Sequence, residues 1–408
     1  MIVSVSWKNI WRNKTRSMVV ILAVALGLFG TVFMIALMNG LIDQKVDASI
    51  SNELSNIQIH TPGFLEDKSI QHMMDNAGLL VEKVKKTEGV KAVCRRTKSM
   101  GMVSTASSGS GVMVNGIIPQ EEKMVTDIHK HTVDGSYFEQ NFKVTPSIFI
   151  GKKLAEKLNA GVGSKIVMTI QSTSGDITYG LYRVVGIYKT DNAMYDEANV
   201  FVENTSLVDL IAVDPDKSSE IAILLENNDL TDKVTSNLKD SFPKLSVLSW
   251  KESDPAVFAM ISLMDQFSWF MVAIIMIALV FVIVNAMLMA ILERTREIGM
   301  LMAIGMNKRR VFLMIMMETI FLSITGAIAG ILLTVITVAL TYQQGINFAA
   351  FAEGFESIGY SALVFPTVKT TFYISIGVIV IITAAIASVW PARKALKLQP
   401  AAAVREDA

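Results

Sequence analysis

The chain alternates between long apolar runs and polar segments, and the apolar runs predict its main elements. Four runs are long enough to cross a bilayer, which requires about 20 residues: 17–42, 266–292, 311–342 and 370–392. A signal peptide would have an apolar region about half as long as the first run and a clear cleavage site, which that run lacks. The pattern therefore predicts an α-helical membrane protein with four transmembrane helices.

Residues 43–265 differ from these runs because charged residues return and apolar residues alternate with polar ones, as in β-strands. Two strand–helix–strand successions are predicted, at 56–60, 79–87 and 90–104, and again at 220–225, 230–241 and 245–250. Further strands are predicted at 112–118, 165–170, 182–188 and 199–202. We therefore predict a large α+β domain of two βαβ units with a strand-rich insertion at about 118–214. With about 220 residues, this domain is large enough to bury its own core.

The polar segments beside the runs predict the orientation of the chain. Lysine and arginine are concentrated in 1–16, 293–310 and the tail 393–408, whereas the loop 343–369 contains a single lysine. The positive-inside rule places both termini and 293–310 in the cytoplasm. It places the α+β domain and the short loop on the outer side.

Two of the cytoplasmic segments are predicted to be helices. In the N-terminal segment, Val3, Trp7, Ile10 and Trp11 share one helical face, which is typical of a helix that lies flat in the headgroup layer. The segment 293–310 is charged and rich in helix formers. We interpret it as a helix on the inner membrane surface that couples this chain to a motor it does not contain.

Composition narrows the classes of function. The chain has 408 residues, of which 51% are hydrophobic, and it contains 37 basic and 37 acidic residues. The apolar composition is that of a membrane protein, and the zero net charge gives no reason to expect binding to nucleic acid. Since Cys94 is the single cysteine, an internal disulfide and a cysteine-based metal cluster are excluded.

The sequence contains no motif for a cofactor or for catalysis. The P-loop pattern Gly-x-x-x-x-Gly-Lys-Ser/Thr does not occur, so we expect no nucleotide site in this chain. His129 and His131, near Asp127 and Asp134, are interpreted as exposed loop residues rather than metal ligands. Several methionines are assigned to packing rather than to soft-metal transport, namely Met300, Met302, Met306, Met314, Met316 and Met317.

Two features inside the third run predict contacts between helices. Glu318 is the acidic residue within the apolar runs, and it lies about 12 Å along the helix from the basic residues that precede the run. We predict that it contacts Arg294 or Arg296, because a proton relay would require further ionisable partners. Gly326 and Gly330 form a small-xxx-small face for packing within the chain or between two copies.

Several short stretches match the patterns of one protein family. They are 293–299 with 303–305, Glu318, 391–392 with Ala395, Pro400 and 403–405, and, in the outer domain, 151–155 with Gly163 and 185–188. These stretches, and the order of one span, a large outer domain and three further spans, resemble the MacB/FtsX-like permease superfamily of ABC transporters. This is the mechanotransmission, or type VII, class.

The resemblance implies a non-catalytic, dimeric permease above a cytoplasmic P-loop ATPase dimer. That ATPase would bind ATP and Mg²⁺, and we expect it to be a separate chain because these residues leave no room for it. ATP-driven closure of the ATPase dimer would act on the coupling segment and thereby move the periplasmic domain. The implied coupling residues are Glu293, Arg294, Arg296, Glu297, Ile298, Gly299, Met302, Ala303 and Gly305.

The branch of the superfamily stays open at this point. Length, topology and residues 38–40 resemble the lipoprotein-releasing LolC/LolE-like branch, which implies a lipoprotein or another amphipathic cargo. Such a permease would work with a second permease, identical or different, and with a periplasmic carrier or outer-membrane partner. The coupling segment is more similar to the macrolide-exporter branch. Further alternatives are a signalling module that activates a cell-wall hydrolase, and a stand-alone membrane enzyme, which the missing catalytic constellation disfavours.

Overall fold

The structure is a computed structural model that describes residues 2–139 and 145–396. Most of the tail 393–408 lies outside the described residues, and so do Pro400 and 403–405 of the C-terminal signature. The side chain of Val3, which was placed on the amphipathic face of the N-terminal segment, also lies outside the description.

Helices and strands alternate along the chain. The helices are α1 Ile2–Arg12, α2 Lys14–Ala48, α3 Phe64–Asp67, α4 Ala77–Val84, α5 Pro119–Val125, α6 Lys152–Leu158, α7 Ala193–Ala198, α8 Asn204–Ile211, α9 Thr231–Ser241, α10 Trp250–Ser253, α11 Pro255–Glu293, α12 Thr295–Ala303, α13 Lys308–Tyr342, α14 Ala352–Ser357 and α15 Thr370–Ala395. The strands are β1 Ile57–His60, β2 Val90–Ser104, β3 Gly109–Ile117, β4 Thr132–Gly135, β5 Ser147–Gly151, β6 Lys165–Gln171, β7 Ile177–Tyr188, β8 Asn199–Glu203, β9 Glu220–Leu225, β10 Ser246–Ser249, β11 Ile346–Asn347 and β12 Leu363–Val364.

Among the residues that the structure describes, four helices are long and apolar enough to span a membrane: α2, α11, α13 and α15. This confirms the four predicted transmembrane helices. Helices α13 and α15 and most of α2 and α11 belong to one compact unit, formed by Met1–Leu41, Ser262–Asn347 and Leu363–Ala408. Apolar side chains from all four helices form its core, including Val24, Leu28, Leu279, Ile283, Leu322 and Val380.

The membrane helices extend beyond the apolar runs that predicted them. Helix α2 ends at Ala48 rather than at 42, and α11 begins at Pro255 rather than at 266. The sequence assigns 255–265 to the outer domain because charged residues extend to Asp265, and the structure shows that 255–261 is helical and groups with that domain. Hydropathy marks only the part of a helix that lies in lipid, whereas backbone hydrogen bonding continues past it.

The predicted short loop 343–369 is a folded segment. Strand β11 pairs with β12 in antiparallel register, and helix α14 lies between them in sequence. Lys189 Nζ lies 2.7 Å from Glu356 Oε1 in this helix. The sequence did not predict these elements because strands of two residues and a helix of six are too short to show a periodic pattern.

The second compact unit, formed by Ile42–Ile261 and Phe348–Ala362, contains a mixed sheet. Its strand order is β10-β1-β9-β2-β3-β8-β5-β7-β4, and β6 pairs with β2 and β7. Strand β9 lies between β1 and β2, and β1 lies between β10 and β9. All of these neighbouring strands are antiparallel. The two predicted βαβ units are therefore confirmed, and they interlock as in the split βαβ arrangement of ferredoxin-like folds. Helices α4 and α9 cover one face of these strands.

The inserted subdomain begins before the predicted boundary at about 118. The first part of β2, up to Arg96, pairs with β9, and the remainder pairs with β3 and β6. Strand β3 continues the sheet by pairing in parallel with β8. In the sequence, β3 reads as an ordinary hairpin partner of β2, so its place in the insertion was not visible. The insertion has a core of its own around Ile148, Leu154, Ile166 and Tyr182.

Candidate coupling site

The sequence predicts one helix over the charged segment 293–310. The structure divides this segment into three pieces. Glu293 ends α11, and the basic residues from Lys308 onward begin α13. Gly305 ends α12 because its φ of 97° lies in the left-handed region that favours glycine. Its N–H donates to Met302 O, and the next N–H donates to Leu301 O at 3.0 Å, which forms a Schellman motif. The side chain of Asn307 then caps the first turn of α13.

The short helix α12 has one buried face and one exposed face. Ile298 and Gly299 are buried in the core of the membrane unit, and Met302 packs against that core. We therefore place these three predicted coupling residues in the packing that holds the helix. The exposed face has the spacing of successive helical turns and consists of Arg296, Met300, Ala303 and Ile304. Met300 is 55% exposed and Ile304 is 80% exposed.

A chain of ion pairs fixes α12 to its neighbours. Glu318 of α13 is buried, and both of its carboxylate oxygens accept from Arg294 Nη1, at 3.1 and 3.2 Å. Arg294 Nε also donates to Glu297 Oε2 at 3.0 Å. Glu297 in turn pairs with Arg12 of α1. Arg294 is one of the two partners that the sequence predicted for Glu318, whereas the sequence did not indicate Arg12.

The two arginines change the acidity of Glu297. Partial burial alone would raise the pKa of this carboxyl group, but hydrogen bonds from Arg294 and Arg12 outweigh burial and lower it below the ordinary value. Glu297 is therefore a carboxylate at neutral pH and a stable acceptor for both cations. Because half of this site is exposed to solvent, the contact with Arg12 serves mainly to orient the helix.

The N-terminal helix α1 packs against α13. Ile10 is buried in the core, and Ser6 Oγ donates to Met314 O at 3.1 Å. Trp7 meets Phe321 edge to face, with ring centroids 5.7 Å apart. Trp7 and Trp11 remain about half exposed, as expected for tryptophans at a membrane interface. The N-terminal segment therefore belongs to the same assembly as α12.

Gly326 and Gly330 pack against α2 of the same chain. A Cβ atom added at Gly326 would lie 2.8 Å from Val24 Cβ, and one added at Gly330 would lie 2.6 Å from Ala25 O. These distances leave no room for a side chain. Of the two roles that the sequence left open, the structure shows packing within the chain.

The outer end of α2 continues into a π-helical turn, Ser49–Leu54, in the second unit. This turn ends at Ser55, whose φ of 62° and ψ of −178° are rare for a residue other than glycine. Arg96 Nη1 donates to the carbonyl oxygen of Glu53 at 3.1 Å, and Asn192 Nδ2 donates to its carboxylate at 2.9 Å. Arg96 lies in the interlocked strands and Asn192 in the insertion, so both parts of the outer domain hold this turn.

Arg96 is the centre of a buried ionic network. Its guanidinium donates to Glu122 of α5 at 2.8 Å and to Glu220 of β9 at 2.7 Å. Lys98 Nζ also contacts Glu220 at 2.7 Å. Burial would raise the pKa of Glu220, but Lys98 and Arg96 outweigh it and lower the pKa to about 2. The network therefore stays charged at neutral pH and joins the insertion to the interlocked strands.

The histidines and methionines that the sequence analysis considered as possible metal ligands lie in two different parts of the fold. His129 and His131 lie in the 3-10 turn Ile128–His131 and are partly buried, so the prediction of exposed loop residues is wrong. The ring of His129 is held locally, with Nδ1 3.2 Å from Thr126 O. Met314 is buried in the membrane unit, and Met302, Met306 and Met316 pack against its core, as the packing interpretation expects. Met300 is 55% exposed, so that interpretation is wrong for this residue.

Comparison with known families decides the identity of this fold. Residues 17–241 match the MacB-like periplasmic core domain, and residues 269–400 match the FtsX-like permease C-terminal family. The first match covers more than half of the chain. The chain belongs to the MacB/FtsX-like superfamily of ABC-transporter permeases. The resemblance inferred from the short motifs is thereby confirmed.

Named relatives of this permease come from two branches. The lipoprotein-releasing system transmembrane protein LolC of Neisseria meningitidis serogroup B is 23% identical over 350 residues, which are 78% of this chain and 79% of LolC. The macrolide export ATP-binding/permease protein MacB of Chlorobium luteolum is 32% identical over 125 residues, which are 31% of this chain and 16% of MacB.

Two solved structures resemble the outer domain more distantly. The periplasmic region of MacB from Actinobacillus actinomycetemcomitans has a TM-score of 0.35 at 12% identity, and the match covers 54% of this chain and 97% of that one. The extracellular domain of the transporter YknZ has a TM-score of 0.32 at 16% identity, over 48% of this chain and 99% of that one. The family matches themselves establish a membrane permease with a large extracytoplasmic domain.

Proposed function

We propose that this permease transmits an ATP-driven conformational change from a separate cytoplasmic ATPase to its extracytoplasmic domain. The exposed face of α12 supports this proposal best. It presents Met300 and Ile304 beside Arg296, while its opposite face is anchored in the membrane unit. Exposed apolar side chains next to a charge are typical of the contact surface of a partner protein.

The ion pairs of α12 would make it part of a stiff assembly. A force on its exposed face would pass through Arg294 to Glu318 and through Glu297 to Arg12, so α1 and α13 would move with it. Helices α2 and α11 contain residues of both units and would carry the movement outward. The hydrogen bonds of Arg96 and Asn192 to Glu53, in the π-helical turn that follows α2, would then pass it to the outer domain.

The permease would act in the bacterial inner membrane, with both termini and α12 in the cytoplasm. The distribution of lysine and arginine supports this orientation. We propose that it works as a dimer with an identical or different permease, above an ATPase dimer that binds ATP and Mg²⁺. The match to MacB, which is named as an export ATP-binding/permease protein, supports an ATPase as partner.

We propose lipoprotein release, or export of another amphipathic cargo, as the task of the complex. The match to LolC supports this task because it runs over most of the chain, whereas the match to MacB is confined to about a third of it. Efflux of a small molecule, or a signal to a cell-wall hydrolase as in the cell-division branch, would use the same transmission with a different outer partner.

The exposed face of α12 offers a direct test. The permease and its ATPase would be reconstituted in nanodiscs, and ATP hydrolysis would be measured with and without the permease. Since Ile304 packs against little of its own chain, Ile304→Asp should fold normally and lose the effect of the permease on the ATPase. Leu79→Asp, at a residue of the outer unit that is 66% exposed, is the matched control and should retain it. Full stimulation by Ile304→Asp would contradict the proposed docking face.

A further inference from the structure

The outer unit contains a cavity of about 670 Å³. It lies on the face of the interlocked strands opposite α4 and α9. This follows from the alternation of side chains in a strand, because Gln58 lines the cavity while Ile57 and Ile59 pack against those helices. Its volume is within the range of about 300–1,000 Å³ that is usual for small-molecule sites.

The lining of this cavity combines a polar part and an apolar part. The polar part includes Glu220, which forms ion pairs with both Arg96 and Lys98. The apolar part of the wall is formed by side chains from β2, β3, β8 and the segment before them, including Phe64, Met100, Met113 and Phe201. Methionine side chains adapt to irregular apolar ligands, so the shape of this wall suits a flexible chain better than a rigid ring system.

The charges around the cavity favour an anionic head group. Besides Glu220, two carboxylates line the cavity. Glu53 accepts a hydrogen bond from Asn192, and Glu252 forms an ion pair with Lys239. Lys68 at the edge is exposed and forms no ion pair in the part of the chain that the structure describes. An anion at the mouth of the cavity would therefore find an available cation there.

We infer that this cavity binds the hydrocarbon chain of a single-chain anionic amphiphile, with its head group at Lys68. The chain would lie against Met100, Met113 and Phe201, and the buried ion pairs would form the polar part of the wall. Ser253 also lines the cavity, and within the described residues its Oγ has no hydrogen-bond partner. This hydroxyl can donate to a polar atom of the ligand.

The cavity also touches the outer ends of two long helices. Leu54 in the last turn after α2 and Pro255 at the start of α11 both line it. A bound amphiphile would therefore contact the elements through which movement is transmitted. This link to ATP hydrolysis rests on the proposed function, whereas binding of the amphiphile does not.

Photolabelling tests the binding without an ATPase. Full-length permease in nanodiscs would be irradiated with a diazirine analogue of dodecanoic acid, and labelled peptides would be identified by mass spectrometry. Labelling of the membrane helices from the lipid phase is the internal standard for the amount of probe. We expect saturable labelling of β2 and β3 that excess dodecanoate suppresses. No saturable labelling in the outer unit, with normal labelling of the membrane helices, would overturn the inference.

Two neighbouring methionines provide a matched pair of variants. Met100 lines the cavity and Met102, two residues further along β2, lies outside it, although the two are similarly exposed at 58% and 50%. Met100→Trp should fill part of the cavity and reduce the labelling about tenfold, which corresponds to about 1.4 kcal/mol of binding. Met102→Trp should leave it unchanged. Equal losses in the two variants would show that the probe binds the strand surface and not the cavity.

Charge reversal tests the head group. Lys68→Glu should reduce labelling by the anionic probe about threefold, as expected for one partly exposed charge. It should not affect a neutral dodecanol analogue of the probe. Unchanged labelling by the anionic probe would contradict the site assigned to the head group, and an equal loss of both probes would contradict its charge.

Discussion

The pair between Arg294 and Glu318 should respond asymmetrically to mutation. Glu318 is 4% exposed within α13, and its carboxylate accepts twice from one guanidinium nitrogen. Arg294 also has Glu297 as a second acceptor and is partly exposed to solvent. Arg294→Met therefore leaves a buried carboxylate without this cation, while Glu318→Gln leaves the arginine paired with Glu297.

The size of each effect follows from what remains buried. Removing one partner of a buried ion pair costs about 3–5 kcal/mol, and the partial exposure of Arg294 favours the lower end for Arg294→Met. Glu318→Gln retains an acceptor oxygen, so we expect a loss of about 1 kcal/mol. The double variant Arg294→Met with Glu318→Leu removes both charges, and its stability should lie within about 1 kcal/mol of that of the wild type.

Thermal unfolding of the purified permease in detergent, followed by tryptophan fluorescence, would rank the variants. We expect the double variant and the wild type to unfold at similar temperatures, Glu318→Gln slightly lower and Arg294→Met lowest. Equal losses in the two single variants, or a double variant as unstable as the sum of both, would refute the assignment of a paired, buried charge to Glu318.

Three further predictions concern packing, the ionic network and pH. Gly326→Ala should lower the unfolding temperature because its Cβ would overlap Val24, at a cost of about 1–3 kcal/mol, whereas Gly30→Ala, where no atom lies within 4 Å, should not. Arg96→Met should destabilise the outer domain by about 3–5 kcal/mol because it leaves the buried carboxylate of Glu122 without its cation, while Glu220 keeps Lys98, and limited proteolysis of that domain would detect the change. Burial raises the pKa of Asp196 to about 7 from its ordinary 3.8, despite hydrogen bonds from a neighbouring threonine, so the folded domain retains a proton that the unfolded chain loses. The contribution of Asp196 to stability should therefore fall as pH rises from about 4 to 7, and the difference between wild type and Asp196→Asn should change over that range; a constant difference would contradict the raised pKa.

Hydropathy and alternation were sufficient to predict the main architecture. The apolar runs predicted the membrane helices, and the strand–helix–strand successions predicted both βαβ units, because each pattern is local in sequence. The sequence did not predict the start of α11 at Pro255 or the folded segment with α14. Polar or very short elements show no such local pattern. Pairing of β3 with β8 depends on contacts between distant segments.

In the candidate coupling site, too, local contacts were predicted from the sequence and contacts between distant residues were not. The sequence predicted Arg294 or Arg296 as the partner of Glu318, because a carboxylate inside an apolar run requires a nearby cation and only a few cations lay within reach. Arg12 was not found because its partner, Glu297, lies 285 residues away. The exposure of Ile304 was not predicted because the sequence does not show which face of α12 is covered by its own chain.

The most direct test of the central claim is whether the exposed face of α12 contacts an ATPase inside the cell. Ile304→Cys would introduce an accessible thiol, since the native Cys94 is buried, and a short bifunctional cross-linker would then be added to inverted membrane vesicles that contain the ATPase. We predict a cross-link from position 304 to the ATPase, with a yield that changes when ATP is bound, and none from Leu79→Cys. Labelling of Ile304→Cys only from the periplasmic side, or a cross-link to the ATPase from position 79 alone, would contradict the proposed coupling.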